Sequence, residues 1–209
     1  KLGINPYFIG DEIFWKVTVD SAVAGHPVLT TAPQPERIAL FDAIMSYNLY
    51  ESEKPEHAGY ASNSSFVPDI NLLYQQYRSA SDGAVPVIPT VIPGYNDRGV
   101  RPRLNHYAIP RQWSAGSAEG TLFSELFDRV AFPNLDSRIP MVLITSWNEW
   151  NEDTAIEPAA PAPATSRDNS TDGMRFTEGY QYVGFDLTYL SIITEKKRSY
   201  SPANGGRGD

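Results

Sequence analysis

Met141-Val-Leu-Ile-Thr-Ser-Trp-Asn-Glu-Trp-Asn-Glu-Asp-Thr-Ala-Ile-Glu-Pro158 is the stretch on which the reading of this chain turns. Residues 141–144 are a short apolar run behind Pro140, the pattern of a strand covered on both faces. The residues after the run are chemically different: Trp147, Asn148, Glu149, Trp150, Asn151, Glu152 and Asp153, with Glu157 close behind. Carboxylates three residues apart, flanked by indoles and amides, make a poor strand and a poor solvent loop. They make a good sugar site. Aromatic faces pack on pyranose rings, amides and acids bind hydroxyls, and paired carboxyl groups can share general acid and base work.

Working outward, three more apolar runs read as strands, at residues 5–10, 39–46 and 85–92, with the fourth at 141–146. Polar or Gly/Pro-rich residues come after each run, and then usually a helical stretch. Residues 67–80 carry Val67, Ile70, Leu73, Tyr74 and Tyr77 at helical spacing, and residues 119–130 carry Leu122, Phe123, Leu126, Phe127 and Val130. Residues 180–197 end in Lys196-Lys197-Arg198, a basic last turn suited to a helix C-terminus. The Ala/Pro/Ser/Thr-rich residues 159–171 read as a loop, and 199–209 as a flexible tail.

Strand, loop and helix repeated about four times predict an α/β fold of parallel βα units. In each unit polar and aromatic residues follow the strand: Asp11, Glu12 and Trp15; Tyr47, Asn48 and Tyr50; Tyr95, Asn96 and Asp97; then the cluster at 147–157. Such residues at the C-terminal ends of several parallel strands are what a (β/α)8 TIM-barrel presents, and four units make half of one. An open doubly wound sheet usually carries a Gly-rich phosphate turn, which Pro93-Gly94-Tyr95 is not.

At 209 residues the chain is long enough for a sizeable core. Its net charge of −8 disfavours nucleic acid and anionic membrane surfaces as partners. No run of about 18 apolar residues is present to span a membrane. Without cysteine there are no disulfides and no Cys-based metal sites or nucleophiles. His26, His57 and His106 are scattered, with no ligand spacing, so no metal site and no cofactor is expected. Lys1 opens the chain almost directly on a strand, with no Met and no signal peptide, which reads as a piece of something longer.

Read together, these loops resemble the endo-α-mannosidase family of glycoside hydrolases, glycoside hydrolase family 99, and its relatives with a similar catalytic domain. The family pattern Asn-Glu-Trp-x-Glu followed by Ile-Glu stands here as Asn148-Glu149-Trp150-Asn151-Glu152 with Ile156-Glu157. A second element, Pro-Gly-Tyr-x-Asp with Arg-Pro downstream, stands as Pro93-Gly94-Tyr95-Asn96-Asp97 with Arg101-Pro102, and a third is Ser46-Tyr47. The resemblance covers roughly residues 4–195. It implies that residues 1–198 are the C-terminal part of a (β/α)8 catalytic domain, its last four βα units, and that an N-terminal half of the barrel is needed for a complete site.

The resemblance also implies roles. Glu149 is the base and Glu152 the acid of a retaining cleavage of an α-mannoside, in which the sugar 2-hydroxyl takes part. Tyr47 lies near the reacting sugar, and Tyr95, Asp97, Arg101, Asn148, Trp150 and Glu157 bind substrate or support it. The expected partner is an oligosaccharide or polysaccharide, and an extracellular or periplasmic location is favoured. Asn151 stands where well-known members have His, Asp153 where they have Gly, Ala155 where they have Gln, and Trp147 where they have Phe. These changes surround the acid pair and bear on substrate more than on chemistry.

Each residue also has a plainer reading. Glu149 and Glu152 alone fit a solvated acidic loop, and Trp147 and Trp150 fit a cap on a core. Tyr47 and Tyr95 fit ordinary strand-end tyrosines, and Arg101 fits a surface pair with Asp97. Asp11 and Glu12 read as structural acids. A polysaccharide-biosynthesis transferase on the same barrel and a non-catalytic carbohydrate-binding protein are the alternatives to a hydrolase.

Overall fold

The computed structural model describes residues 5–12, 33–49, 55–101, 107–161 and 184–200. Trp15, His26, Tyr50, Pro102, His106 and most of the 159–171 loop lie outside them.

The strands are short and all parallel. β1 (Ile9–Asp11) pairs with β2 (Ala43–Met45), placing Ile9 opposite Ala43. β2 pairs with β3 (Val87–Ile88), and β4 (Thr90–Val91) pairs with β5 (Leu143–Ile144). The single expected strand at 85–92 is therefore divided at Pro89, which has no N–H to give a ladder. Its carbonyl still accepts Leu143 N at 2.9 Å, while the Pro86 carbonyl accepts Ile44 N at 2.9 Å. One extended run thus serves β2 through its first half and β5 through its second. The parallel runs stand side by side in chain order.

Helices fill the connections. The four-residue α1 (Pro35–Ile38) lies between β1 and β2. α2 (Phe66–Ala80) joins β2 to β3 and buries Phe66, Val67, Ile70, Tyr74 and Tyr77, the face expected from the periodicity. It stops where Asp82 and Gly83 turn left-handed, at φ 50° and 74°. α3 (Thr121–Leu126) joins β4 to β5 and runs on into a π-type turn, Phe127–Ala131, before Pro133 ends it. α4 (Thr188–Ser199) starts later than residue 180. Gly184 and Asp186 are left-handed at φ 76° and 44°, and Phe185 and Asp186 donate their amides to the Ala159 carbonyl instead of to a helix. Tyr200 stacks near Phe132, and residues 201–209 lie outside the described part.

The core joins Ile44, Val87 and Val91 of the strands to Tyr74, Tyr77, Phe123, Leu126, Val130 and Tyr189 of the helices. Two apolar edges stay open. At one, Tyr7, Phe8 and Ile9 are exposed; at the other, Met141 is exposed and residues 142–144 are only half-buried. This corrects the expectation that 141–144 is covered on both faces. Among the described residues β5 has a neighbour on one side only.

Candidate active site

The C-terminal ends of β2 and β5 and the start of β4 are tied together by polar residues. Thr90 Oγ1 donates to the Ser46 carbonyl at 2.7 Å, and Thr145 Oγ1 donates to the Tyr47 carbonyl at 2.6 Å. The Tyr47 amide donates to Asp11 Oδ1 at 3.1 Å. Tyr47 is so held beside the loop after β5.

That loop is a closed turn. Ser146 N donates to the Thr154 carbonyl and Thr154 N to the Glu149 carbonyl, at 2.8 and 3.2 Å. Ser146 Oγ accepts Glu149 N at 2.8 Å. Ile156 N and Glu157 N donate to the Trp147 carbonyl at 3.0 and 2.9 Å. An acid-rich hexapeptide without regular secondary structure satisfies its backbone this way and keeps its side chains outward. Glu149 and Glu152 both line an open cleft of about 350 Å³, together with Val100, Arg101 and Asn151. Asn151 N donates to Glu149 Oε1 at 3.1 Å, which fixes the side chain of Glu149 against its own turn.

Arg101 crosses the cleft. Its Nη1 donates to Asp97 Oδ2 at 2.7 Å and to Glu152 Oε1 at 3.1 Å. The hydrogen bond to Asp97 raises the guanidinium pKa despite burial, so Arg101 is a fixed cation. The plain surface pair with Asp97 is therefore only half of what Arg101 does. Burial raises the Tyr47 hydroxyl pKa; a hydrogen bond with Ser146 opposes the shift, and the charges of Glu149 and Glu152 add to it. Tyr47 is thus a neutral donor within electrostatic reach of both acids.

Tyr95 and Asp97, expected on the site wall, lie beneath it instead. Both are buried, and Tyr95 exchanges its amide and carbonyl with Ile109 at 2.9 and 2.8 Å. Burial, and then a hydrogen bond to Asp97, pushes the Tyr95 hydroxyl pKa up. They back Arg101 and are not presented to solvent. Trp147 and Trp150 are half-exposed on the same turn, outside the cleft lining, so neither caps the core. Asn148 is exposed and Glu157 half-buried, outside the cleft lining. Glu12 is buried against Arg37, whose Nε donates to it at 2.7 Å, and is structural. His57 is buried with Nε2 2.8 Å from Asp69 and is likewise structural.

Asn151, which the sequence placed among the amides flanking the acids, also lines the cleft. Arg111, packed against the turn, escapes a reading from sequence. It is buried, and its Nε and Nη2 donate to Asp153 Oδ1 at 3.0 and 2.9 Å. Nη2 also reaches the carbonyls of Asp153 and Ala155, each at 2.9 Å. The visible signal was an arginine beside the otherwise apolar run Tyr107, Ala108, Ile109, Pro110, which needs a buried acid.

Larger depressions of about 680 and 490 Å³ run along α4. Their acids are Glu195 and, in the second, Glu119, without an opposed pair. Chemistry favours the smaller cleft. Among the described residues no cluster of His, Cys, Asp and Glu is arranged to hold a metal, and no helix is long and apolar enough to cross a membrane.

No family model matches the chain. The chain is 34% identical over 80 residues to a mouse glycoprotein endo-α-1,2-mannosidase-like protein, 38% of this chain and 16% of that protein. The chain resembles the endo-α-mannosidase family. The human mannosidase-like counterpart matches at the same identity over 15% of its length. A solved structure described as a glycoside hydrolase-like protein aligns over 93% of this chain and 44% of its own, at 18% identity and TM-score 0.53. That is a likeness of fold. The structure of the family 99 endo-α-mannosidase from Bacteroides thetaiotaomicron aligns over 95% of this chain and 46% of its own, with 20% identity and TM-score 0.45. The chain spans under a fifth of the length of the curated relatives it matches and under half of these structures.

Proposed function

We propose that this chain carries the acid pair of a glycoside hydrolase that cleaves α-mannoside-type or related glycan linkages with retention of configuration. The carrying observation is that Glu149 and Glu152 open into one cleft, with Arg101 on Glu152 and Tyr47 beside both. The names of the mannosidase-like relatives support the substrate class.

Glu149, whose carboxylate accepts the Asn151 amide, is suited to be the base. It takes the proton of the sugar 2-hydroxyl, and the 2-oxygen attacks the anomeric carbon. Glu152 gives its proton to the departing oxygen. Water then opens the 1,2-anhydro sugar, losing its proton to Glu152, while Glu149 returns its own to the 2-oxygen. Arg101 orients the Glu152 carboxyl, and Trp147 and Trp150 offer faces to flanking sugars.

On this reading the parallel runs are the last four units of a (β/α)8 barrel, with residues 1–198 as its C-terminal part. Further units cover the open apolar edges at β1 and β5 and complete the glycan site. The test is to incubate the intact protein with an α-1,2-linked manno-oligosaccharide and follow products by mass spectrometry and anomeric NMR. Release of a shorter glycan with α configuration at the new end supports the reading. Glycan that binds but stays uncut points to a binding protein, and turnover only with a nucleotide-sugar donor points to a transferase.

A further inference from the structure

Arg111 lies on the far side of the turn from the cleft, yet it holds more of that turn than any other described side chain. Its guanidinium takes the Asp153 carboxylate through two N–H groups and the Asp153 and Ala155 carbonyls through Nη2. Both N–H groups converge on the one oxygen Oδ1, and the planar guanidinium that bears them also takes the two carbonyls, so direction as well as distance is fixed. The guanidinium is held in turn, lying 4.8 Å from the Phe185 ring centre and 5.2 Å from that of Tyr189. Tyr189 donates its hydroxyl to Glu119 at 2.5 Å, and Glu119 is 3.9 Å from Arg111 Nη1. The anchor therefore reaches α4 and the segment before α3, both parts of the rigid core.

Asp153 directly follows Glu152 and is left-handed, at φ 55°. Asp is among the few non-glycine residues that visit that conformation, and the Arg111 contacts hold the side chain and carbonyl of Asp153 in it. Glu152 is pinned on its other side by Asn96 N, which donates to the Glu152 carbonyl at 2.8 Å. Gly94 belongs to the same device: a Cβ there would lie 2.7 Å from Arg111 Cγ.

We infer that Arg111 is a positioning residue, which clamps the turn through Asp153 and so sets the bearing of the Glu152 carboxyl on the cleft. The inference rests on the reading of Glu152 as the catalytic acid. Arg111→Lys keeps the charge and loses the fork; Asp153→Asn tolerates the left-handed turn and loses the carboxylate.

The test compares both variants with Arg138→Lys, which alters the distant pair with Asp136, in the intact protein. Amide hydrogen exchange is measured over residues 149–155 and over α2. Turnover of the α-1,2-linked manno-oligosaccharide is measured beside that of Glu152→Gln. Both clamp variants should speed exchange in the turn while leaving α2 unchanged. They should lower kcat by up to about 10²-fold with KM within about threefold, as for a displaced reacting group. Arg138→Lys should do neither. Unchanged exchange in the turn, or faster exchange everywhere alike, overturns the clamp. A loosened turn with kcat unchanged, where Glu152→Gln is dead, overturns the positioning role and leaves the function standing. Full turnover in Glu152→Gln instead overturns the catalytic reading, whatever the exchange shows.

Discussion

At the scale of single residues, the charges around the cleft divide by burial. Asp97 is fully buried and faces Arg101, which also reaches Glu152. Arg101→Met removes the cation from both acids. The expected cost in stability is about 1–3 kcal/mol, because a buried acceptor loses a charged donor. Chemical denaturation measures it, and no loss of stability would show that the pair adds nothing. Trp150 is the opposite case. Half-exposed on the turn, its replacement by Ala should change stability by about 0.5 kcal/mol or less. Glycan binding, measured by calorimetry, should weaken. A large loss of stability with binding intact would make Trp150 a packing residue after all.

At the scale of elements, the apolar runs were enough to place every described strand, because a parallel strand inside an α/β fold reads as a continuous apolar run. Their lengths were not legible. Pro89 divides one run, and β5 is half-open because it has one described neighbour. The helical face of α2 was readable residue by residue. The π-type turn after Leu126 and the late start of α4 were not, since both depend on contacts distant in sequence, such as Phe185 on the Ala159 carbonyl. Glu149 and Glu152 were singled out by their chemistry after a strand, and Tyr47 and Arg101 through the family resemblance; the fold brings the four to one place. Tyr95 and Asp97 were named beside them, but their burial was not legible. Arg111 stood out beside an apolar run, but its partner, 42 residues away, was not legible. Gly94 shows the same coupling between elements. Gly94→Ala would put a Cβ 2.7 Å from Arg111 Cγ and 3.0 Å from the Ile109 carbonyl. It should cost about 1–3 kcal/mol, as overpacking does. Gly99→Ala, where a Cβ meets nothing, is the control for a denaturant titration.

At the scale of the whole molecule, the core is unusually rich in buried tyrosine hydroxyls. Burial raises the pKa of Tyr74, Tyr77, Tyr95 and Tyr189 above the ordinary 10.0, that of Tyr77 to about 12. Above the unfolded value the native state binds more protons than the unfolded one, so stability falls as pH rises. The contribution is complete below about pH 10 and is lost as pH climbs through the native values. Tyrosinate absorbance should therefore appear for these groups only together with loss of near-UV circular dichroism. Free titration of all tyrosines in a still-folded protein would contradict the burial. The cleft stands at the C-terminal ends of parallel strands on this core, where the acid pair is held between Arg101 and the backbone of its own turn. Its role as a catalytic centre is tested most directly by turnover of an α-1,2-linked manno-oligosaccharide by Glu149→Gln and Glu152→Gln in the intact protein, with folding checked by thermal melts. Each change should lower kcat by about 10²–10⁴-fold with the melting temperature retained. Near-full activity in both would show that the Glu149–Glu152 cleft is not where the chemistry occurs.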